Sequence, residues 1–263
     1  MTLAARGLAF GFRGRVVGRS IDLEIGAGEV VCLLGPNGSG KTTLLRTLLG
    51  FLAPLDGAVT LEDRALREWP ARERAKRLAY VPQAAESHFD FSVLEIVEMG
   101  RSAHRGVFSP PGARDVERSL AALERLGIAA LADRPIHAVS GGERQLALIA
   151  RALATEATHI VMDEPAASLD FGNQSRVLDE IARLREAGAA VLFSTHHPDH
   201  ALAIADRVLM IRDGGTMAAG ATAQVVNSEN LSGLYGRRVE VVLVASGQGT
   251  PRLACFPSIG RTT

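Results

Sequence analysis

The chain has 263 residues, 47% of them hydrophobic, enough for one large core or two closely joined halves. Lys plus Arg (29) balance Asp plus Glu (29), so no global basic field points to nucleic acid. No window approaches the roughly 20 apolar residues of a membrane helix, and Met1 to Arg6 lacks the apolar core of a signal peptide, so any membrane role is expected through a partner. The two cysteines, Cys32 and Cys255, set no disulfide framework. Cys32 reads as a small buried hydrophobe, and a reducing compartment fits.

Taken in order, Ile21 to Ile25 alternates apolar and polar, which predicts a strand with one face in water. Val30-Val31-Cys32-Leu33-Leu34 is continuously apolar, as in a strand buried on both faces. An antiparallel layer is therefore expected to lead into a parallel core. Leu44 to Leu49 reads as a helix ending near Gly50, and Val59 to Leu61 as a further edge strand. Glu68 to Leu78 has the charge density of a helix, and Ala79 to Val81 returns to strand.

From Ala84 to about Ala154 the pattern is helical. One helix is predicted after the candidate N-cap Ser92, and a second from Ala113 to Leu126, stopped by Gly127. A third follows Ser140, with Leu146, Ile149, Ala150 and Leu153 at helical spacing and apolar residues almost all round, hence buried on most sides. The α/β pattern resumes with a strand at Ile160 to Met162, a helix from about Gln174 to Glu186, a strand at Ala190 to Phe193 and a helix near Ala201 to Ile204. Arg207 to Ile211 follows, with a hairpin signal at Asp213-Gly214-Gly215, and Val239 to Val244 with Leu253 to Phe256 predicts a terminal hairpin.

The chemistry centres on Gly35-Pro36-Asn37-Gly38-Ser39-Gly40-Lys41-Thr42-Thr43, which fits G-x-x-x-x-G-K-[ST] between a strand and a helix. Glycines let backbone N–H groups turn around a phosphate chain, and the helix N-terminus adds positive potential. Lys41 would reach the terminal phosphates, and the Thr42 hydroxyl would hold Mg²⁺. Lys41 and Lys76 are the only lysines in the chain. Asp163-Glu164 ends an apolar strand, where ligands of open α/β sheets sit. Asp163 can face Mg²⁺ and Glu164 can act on water, although such a pair alone usually caps a loop. Ser140-Gly141-Gly142-Glu143 opens the buried helix, both as a capping box and as a second anion site; the two readings are compatible.

These residues resemble the ATP-binding cassette (ABC) ATPases. The phosphate loop corresponds to the family's Walker A motif, Ser140 to Glu143 to its signature, and Val161 to Glu164 to its Walker B. Gln83 matches the Q-loop, Ser168-Leu169-Asp170 the D-loop, His196 the switch histidine, and Phe12 the aromatic that stacks on adenine. His197 adjoins His196; His196 is preferred because His197 stands where the family often has Asp. Val139 for leucine, Glu143 for glutamine, Ala166 for threonine and Phe12 for tyrosine are departures that keep the chemistry.

The resemblance implies a P-loop α/β fold, with residues 1–83 and 155–225 as a RecA-like core carrying an antiparallel layer. Residues 84–154 would be a helical signature subdomain within a 1–225 ATPase domain, and 226–263 a tail with a hairpin. It further implies ATP and Mg²⁺ (Thr42, Gln83, Asp163), catalysis by Lys41, Glu164 and His196, and a homodimer in which Ser140 to Glu143 act in trans. Phe89-Asp90-Phe91, Met99-Gly100-Arg101, Asp170-Phe171-Gly172-Asn173-Gln174 and Leu234-Tyr235-Gly236 resemble type II importer ATPases that serve ferric siderophore, haem, cobalamin or, in a related branch, molybdate uptake. Such a subunit would sit on the cytoplasmic face of the inner membrane, bound to a multi-span permease and, indirectly, a substrate-binding protein. Phe89 and Phe91 mark either a groove for the permease or ordinary loop packing. The alternative is a stand-alone regulatory ATPase.

Overall fold

The computed structural model describes residues 1–83, 90–106, 109–167, 169–245 and 251–258. β1 (Thr2–Phe12) and β2 (Arg15–Gly26) form an antiparallel hairpin, and β3 (Val30–Leu34) leads through the glycine loop into α1 (Lys41–Leu48). β4 (Asp56–Leu61) and the short β5 (Arg64–Ala65) complete a four-stranded sheet in the order β2-β1-β4-β5. α2 (Ala71–Ala75) and β6 (Leu78–Val81) precede three helices, α3 (Val93–Glu98), α4 (Ala113–Arg125) and α5 (Gly141–Ala154). Then come β7 (His159–Met162), α6 (Phe171–Glu186), β8 (Ala190–Thr195), α7 (Pro198–Ile204), β9 (Arg207–Arg212) and β10 (Gly215–Ala221). The chain ends in α8 (Thr222–Val225), α9 (Ser228–Tyr235) and the hairpin β11 (Val239–Val244) with β12 (Arg252–Pro257).

The central sheet runs β10-β9-β3-β8-β7-β6, parallel except for β10. The central strands β3, β8 and β7 are buried along their whole length, covered on both faces, which is why β3 needs an unbroken apolar run. Val30, Cys32 and Leu34 enter the core shared with α5, α6 and α7, whereas Val31 and Leu33 enter the core under the antiparallel sheet. Alternation along a strand thus feeds two cores at once. In the second core α1 inserts Leu44, Leu45 and Leu48, all fully buried. Burial at about 1.5–3 kcal/mol each anchors the helix that follows the phosphate loop.

The structure shifts some expected boundaries. The stretch Glu68 to Leu78 forms only the five-residue α2 and the start of β6, because Pro70 fixes where the helix begins. Val59 to Leu61 lies inside the antiparallel sheet, with β5 outside it. β8 continues to Thr195, and α6 begins at Phe171 rather than near Gln174, because the Asp170 side chain caps it by accepting from Asn173 N at 2.8 Å. Ser92 and Ser140 each close a capping box, with Glu95 and Glu143. No helix of the described residues is long and apolar enough to cross a membrane.

Candidate functional site

Sheet order gathers residues that are far apart in sequence. Adjacent strands β3, β8, β7 and β6 end, respectively, in the glycine loop, His196, Asp163-Glu164 and Gln83. All four ends lie on the carboxyl edge of parallel strands, where open α/β sheets place their ligands. Gly35 N donates to Thr195 O at 3.3 Å, and Asp163 N to Val81 O at 2.8 Å, so the ends are laced together.

Two loop glycines are required by geometry. A Cβ on Gly35 would lie 2.5 Å from Ile211 O and 2.7 Å from Ser39 Oγ. Gly40, the N-cap of α1, has φ +97°, and a Cβ there would meet Val17 Cγ1 at 2.8 Å. Ser39 Oγ is buried without a hydrogen-bond partner, and the first N–H groups of a helix have no intrahelical acceptor. The loop therefore presents an orphaned hydroxyl and backbone donors at one point, which suits the oxygens of a phosphate chain. Pro36, Asn37 and Gly38 form the outer bend of the loop, and Thr42 and Thr43 are half-buried in the first turn of α1.

Lys41 and Glu164 are both buried, and their Nζ–Oε1 distance is 3.0 Å. Lys41 Nζ also donates to Gly35 O at 2.8 Å and Pro36 O at 3.2 Å. The other carboxylate oxygen of Glu164 lies 2.6 Å from His196 Nδ1. Glu164 thus bridges a lysine and a histidine delivered by two other strands. Its φ of +50° is uncommon for a residue with a side chain, a strain of about 1–3 kcal/mol that persists only where the surroundings enforce it.

Ser194 supplies much of that enforcement, and sequence reasoning gave it no role. Its buried hydroxyl donates to Asp163 Oδ1 at 2.7 Å and accepts from Glu164 N at 2.9 Å. Asp163 is in turn 2% exposed, and Tyr80, desolvated and facing the Asp163 charge, has its phenol pushed above the usual range. His197 stacks beside His196 at 4.1 Å between ring centroids but is exposed, its backbone N–H donating to Thr195 Oγ1 at 3.0 Å. Of the two histidines, His196 is the one placed on Glu164.

Other expected residues lie near the array or away from it. Phe12 ends β1 and is 48% exposed, open to stacking. Gln83 is exposed two residues beyond β6, on the strand next to that of Asp163. Ser140 and Gly141 are exposed at the start of α5, with Glu143 accepting from Ser140 N at 2.8 Å, a bond that holds the Glu143 carboxyl below its usual range. Four residues along α5, Gln145 donates from Nε2 to Pro82 O at 3.3 Å and ties this helix to the segment carrying Gln83. Asp170 caps α6, while Ser168 and Phe89 lie outside the described residues. Phe91 is 40% exposed, its carbonyl accepting from Ile136 N.

A groove that the sequence did not announce lies elsewhere on the surface. It has a volume of about 390 Å³ and is lined by Leu49, Phe51, Tyr80, Met99, Arg151 and Ala152, joining the end of α1, β6, α3 and α5. Phe51 is 60% exposed on its rim. Contacts this distant in sequence leave no local signature.

A glycine loop on a strand buried on both faces, with acids and a histidine on the neighbouring strand ends, defines a P-loop nucleoside triphosphatase. The ABC transporter family model matches residues 19–167. A hemin import ATP-binding protein from Myxococcus xanthus is 38% identical over 250 residues, covering 92% of each chain. A molybdate import ATP-binding protein from Haemophilus influenzae is 37% identical over 218 residues, covering 82% of this chain and 81% of its own. Among solved structures, a transporter described as metal-chelate type, in an inward-facing conformation, superposes with a TM-score of 0.86 at 32% identity, covering 98% of this chain and 97% of that one. The chain belongs to the ATP-binding proteins of the ABC transporter family, which are ATPases coupled to transport.

Proposed function

We propose that this chain hydrolyses ATP for an importer of a metal chelate: a ferric siderophore, haem or cobalamin. The observation that carries the ATPase chemistry is the connected array of Lys41, Glu164 and His196, closed by bonds of 3.0 and 2.6 Å. The hemin import relative and the metal-chelate type transporter support the substrate class. A molybdate or tungstate importer is the second reading, favoured by the molybdate import relative.

The residues present fit ATP and Mg²⁺. The glycine loop offers donors for the phosphates, and the exposed Phe12 ring offers a face for the adenine. Thr42 and Asp163, with Gln83 from the adjacent strand, would hold Mg²⁺. That set suits an ion bound by one carboxylate and phosphate oxygens rather than by a cage of protein ligands. When bound, the metal neutralises charge developing on the phosphates.

Glu164 acts as the base toward water, held by two strands in one orientation. Lys41 carries positive charge to the phosphate oxygens. With its Nδ1 on Glu164, His196 meets the terminal phosphate through Nε2. Lys41 is engaged by Glu164 until a phosphate competes for it, so nucleotide arrival and release of the base become one event.

Two copies would close head to tail on ATP, the partner subunit's Ser140, Gly141 and Gly142 completing each site and the D-loop residue Asp170 lying near the junction. The helical insertion, 84–154, would turn as a unit against the core, with Gln145 linking it to Gln83. The permease would dock in the groove between Phe51, Tyr80 and Met99, which is lined by residues of both cores. The subunit would then sit on the cytoplasmic face of the membrane, with the substrate-binding protein on the other side.

Glu164→Gln tests the array. The variant is expected to bind ATP, accumulate as an ATP-bound dimer and lose hydrolysis by about 10²-fold or more. Turnover at the parental rate would show that Glu164 is not the base. Uptake of haem, ferric siderophore, cobalamin and molybdate by cells carrying this chain and its permease separates the two substrate readings.

A further inference from the structure

We propose that Tyr235 is a positioning residue for His196, and that the segment from α9 to β12 is a strap holding the histidine loop in register with Glu164. The inference rests on the reading of His196 given above.

His196 is held at two points. Its ring meets Glu164 at 2.6 Å, and its backbone carbonyl accepts from the Tyr235 hydroxyl at 2.8 Å. The first contact belongs to the catalytic array. The second comes from the last residue of α9, 39 positions away. A ring alone would satisfy packing at Tyr235, whereas a hydroxyl aimed at one carbonyl fixes a position. Desolvation raises the phenol above its ordinary range, so it stays a donor wherever the enzyme works.

The strap itself is anchored. Leu231 and Leu234 of α9 are buried in the core that also takes Cys32 and Leu34. Val239 N donates to Ser232 Oγ and Val241 N to Ser228 Oγ, both at 2.9 Å, joining β11 to α9. The chain turns between them at Gly236, whose φ of +65° suits a residue without Cβ. From β12, Cys255 N donates to Asp199 Oδ1 at 3.0 Å, gripping the first turn of α7 just beyond the histidine loop. Between strap and loop lies a cavity of about 550 Å³, bordered by Asp199, Tyr235, Arg237, Cys255 and Phe256. The two hydrogen bonds bracket this cavity and tie the strap to His196 and to Asp199 just beyond it.

The test is steady-state Mg·ATP hydrolysis by the full chain carrying Tyr235→Phe, His196→Ala or both. Tyr235→Phe is expected to lower kcat about tenfold with KM for ATP within about twofold, equivalent to about 1.4 kcal/mol on the barrier. In the His196→Ala background the same change is expected to cause no further loss, since Tyr235 works through that residue. Asp199→Ala, which removes the other contact, is expected to lower kcat in the same sense and serves if Tyr235→Phe folds poorly. Parental kcat in both Tyr235→Phe and Asp199→Ala, with His196→Ala impaired, overturns the strap and leaves the histidine reading standing. Losses that multiply in the double variant also overturn it, because they mark a general structural effect. Parental kcat in His196→Ala sinks the histidine reading and the strap with it.

Discussion

Ser194→Ala removes one oxygen from the centre of the site. That oxygen is buried, donates to Asp163 at 2.7 Å and accepts from the Glu164 backbone at 2.9 Å. The substitution leaves a backbone N–H and a carboxylate oxygen each short of a partner, in a place with almost no access to water. Unsatisfied buried groups cost about 1–3 kcal/mol apiece, more for a charged one, so the summed loss is about 2–5 kcal/mol. At roughly 2–4 °C per kcal/mol for a chain of this size, the melting temperature should fall by about 5–15 °C. Activity should fall as well. Glu164 sits at a left-handed φ of +50° that its neighbours impose, and loosening it displaces the carboxylate, for which about 10- to 100-fold in kcat is a fair expectation. Lys41 and the loop are untouched, so ATP affinity should stay within a few-fold. Thermal unfolding, nucleotide titration and steady-state hydrolysis measure the three quantities. A variant that melts within about 2 °C of the parent and turns over at its rate would refute the claim that this hydroxyl joins the two acids.

Lys41→Ala should weaken nucleotide binding itself, by at least about tenfold, because it strips the phosphate site of its only lysine; unchanged affinity in an equilibrium titration would count against the loop as the phosphate site. Phe51→Glu puts a charge on the rim of the groove between α1 and α5, and should abolish copurification with the permease while the isolated chain keeps its hydrolysis rate. Retained copurification would move the permease site elsewhere. Burial first, and then the neighbouring His197, push His200 down to about 4 from an ordinary 6.5. Between those values the unfolded chain binds the proton and the folded one does not, so His200 contributes to the loss of stability as pH falls from 6.5 to about 4. His200→Gln should therefore lose less stability than the parent between pH 7 and pH 4.5 in chemical denaturation; equal losses would show that the ring is free to protonate in the fold.

What the sequence revealed, and what it hid, divides by the range of the interactions. The Val30 to Leu34 run announced a strand covered on both faces, and the structure sends its alternate residues into two cores. The caps at Ser92 and Ser140 were legible because each bond spans three residues. Asp170 was equally local, but Phe171-Gly172-Asn173 has weak helix propensity, so the start of α6 was placed too late. Ser194 and Tyr235 escaped for a different reason. Their partners lie 31 and 39 residues away, and only the strand order β3-β8-β7-β6 and the return of α9 bring them together. Leu234-Tyr235-Gly236 stands out in the sequence only as a likeness to importer ATPases, which assigns the tyrosine no contact, and Ser194 reads as one more residue near the end of an apolar strand. The groove under Phe51 is hidden in the same way, assembled from elements between Leu49 and Thr155 that are distant in sequence.

The ion pair between Lys41 and Glu164 joins recognition to chemistry. Both groups are buried, and a buried pair contributes little net stability because desolvation offsets most of its attraction. Its value is better sought in what happens when one partner is drawn away. A phosphate group competing for Lys41 leaves Glu164 with His196 as its remaining close partner, at 2.6 Å. On the reading proposed above, the carboxylate is restrained before nucleotide arrives and released once it is bound, with no other moving part required. By the same logic Glu164→Gln removes the competitor for Lys41 along with the base. Such a variant should hold ATP more tightly than the parent, whereas a carboxylate uncoupled from the lysine would leave affinity unchanged.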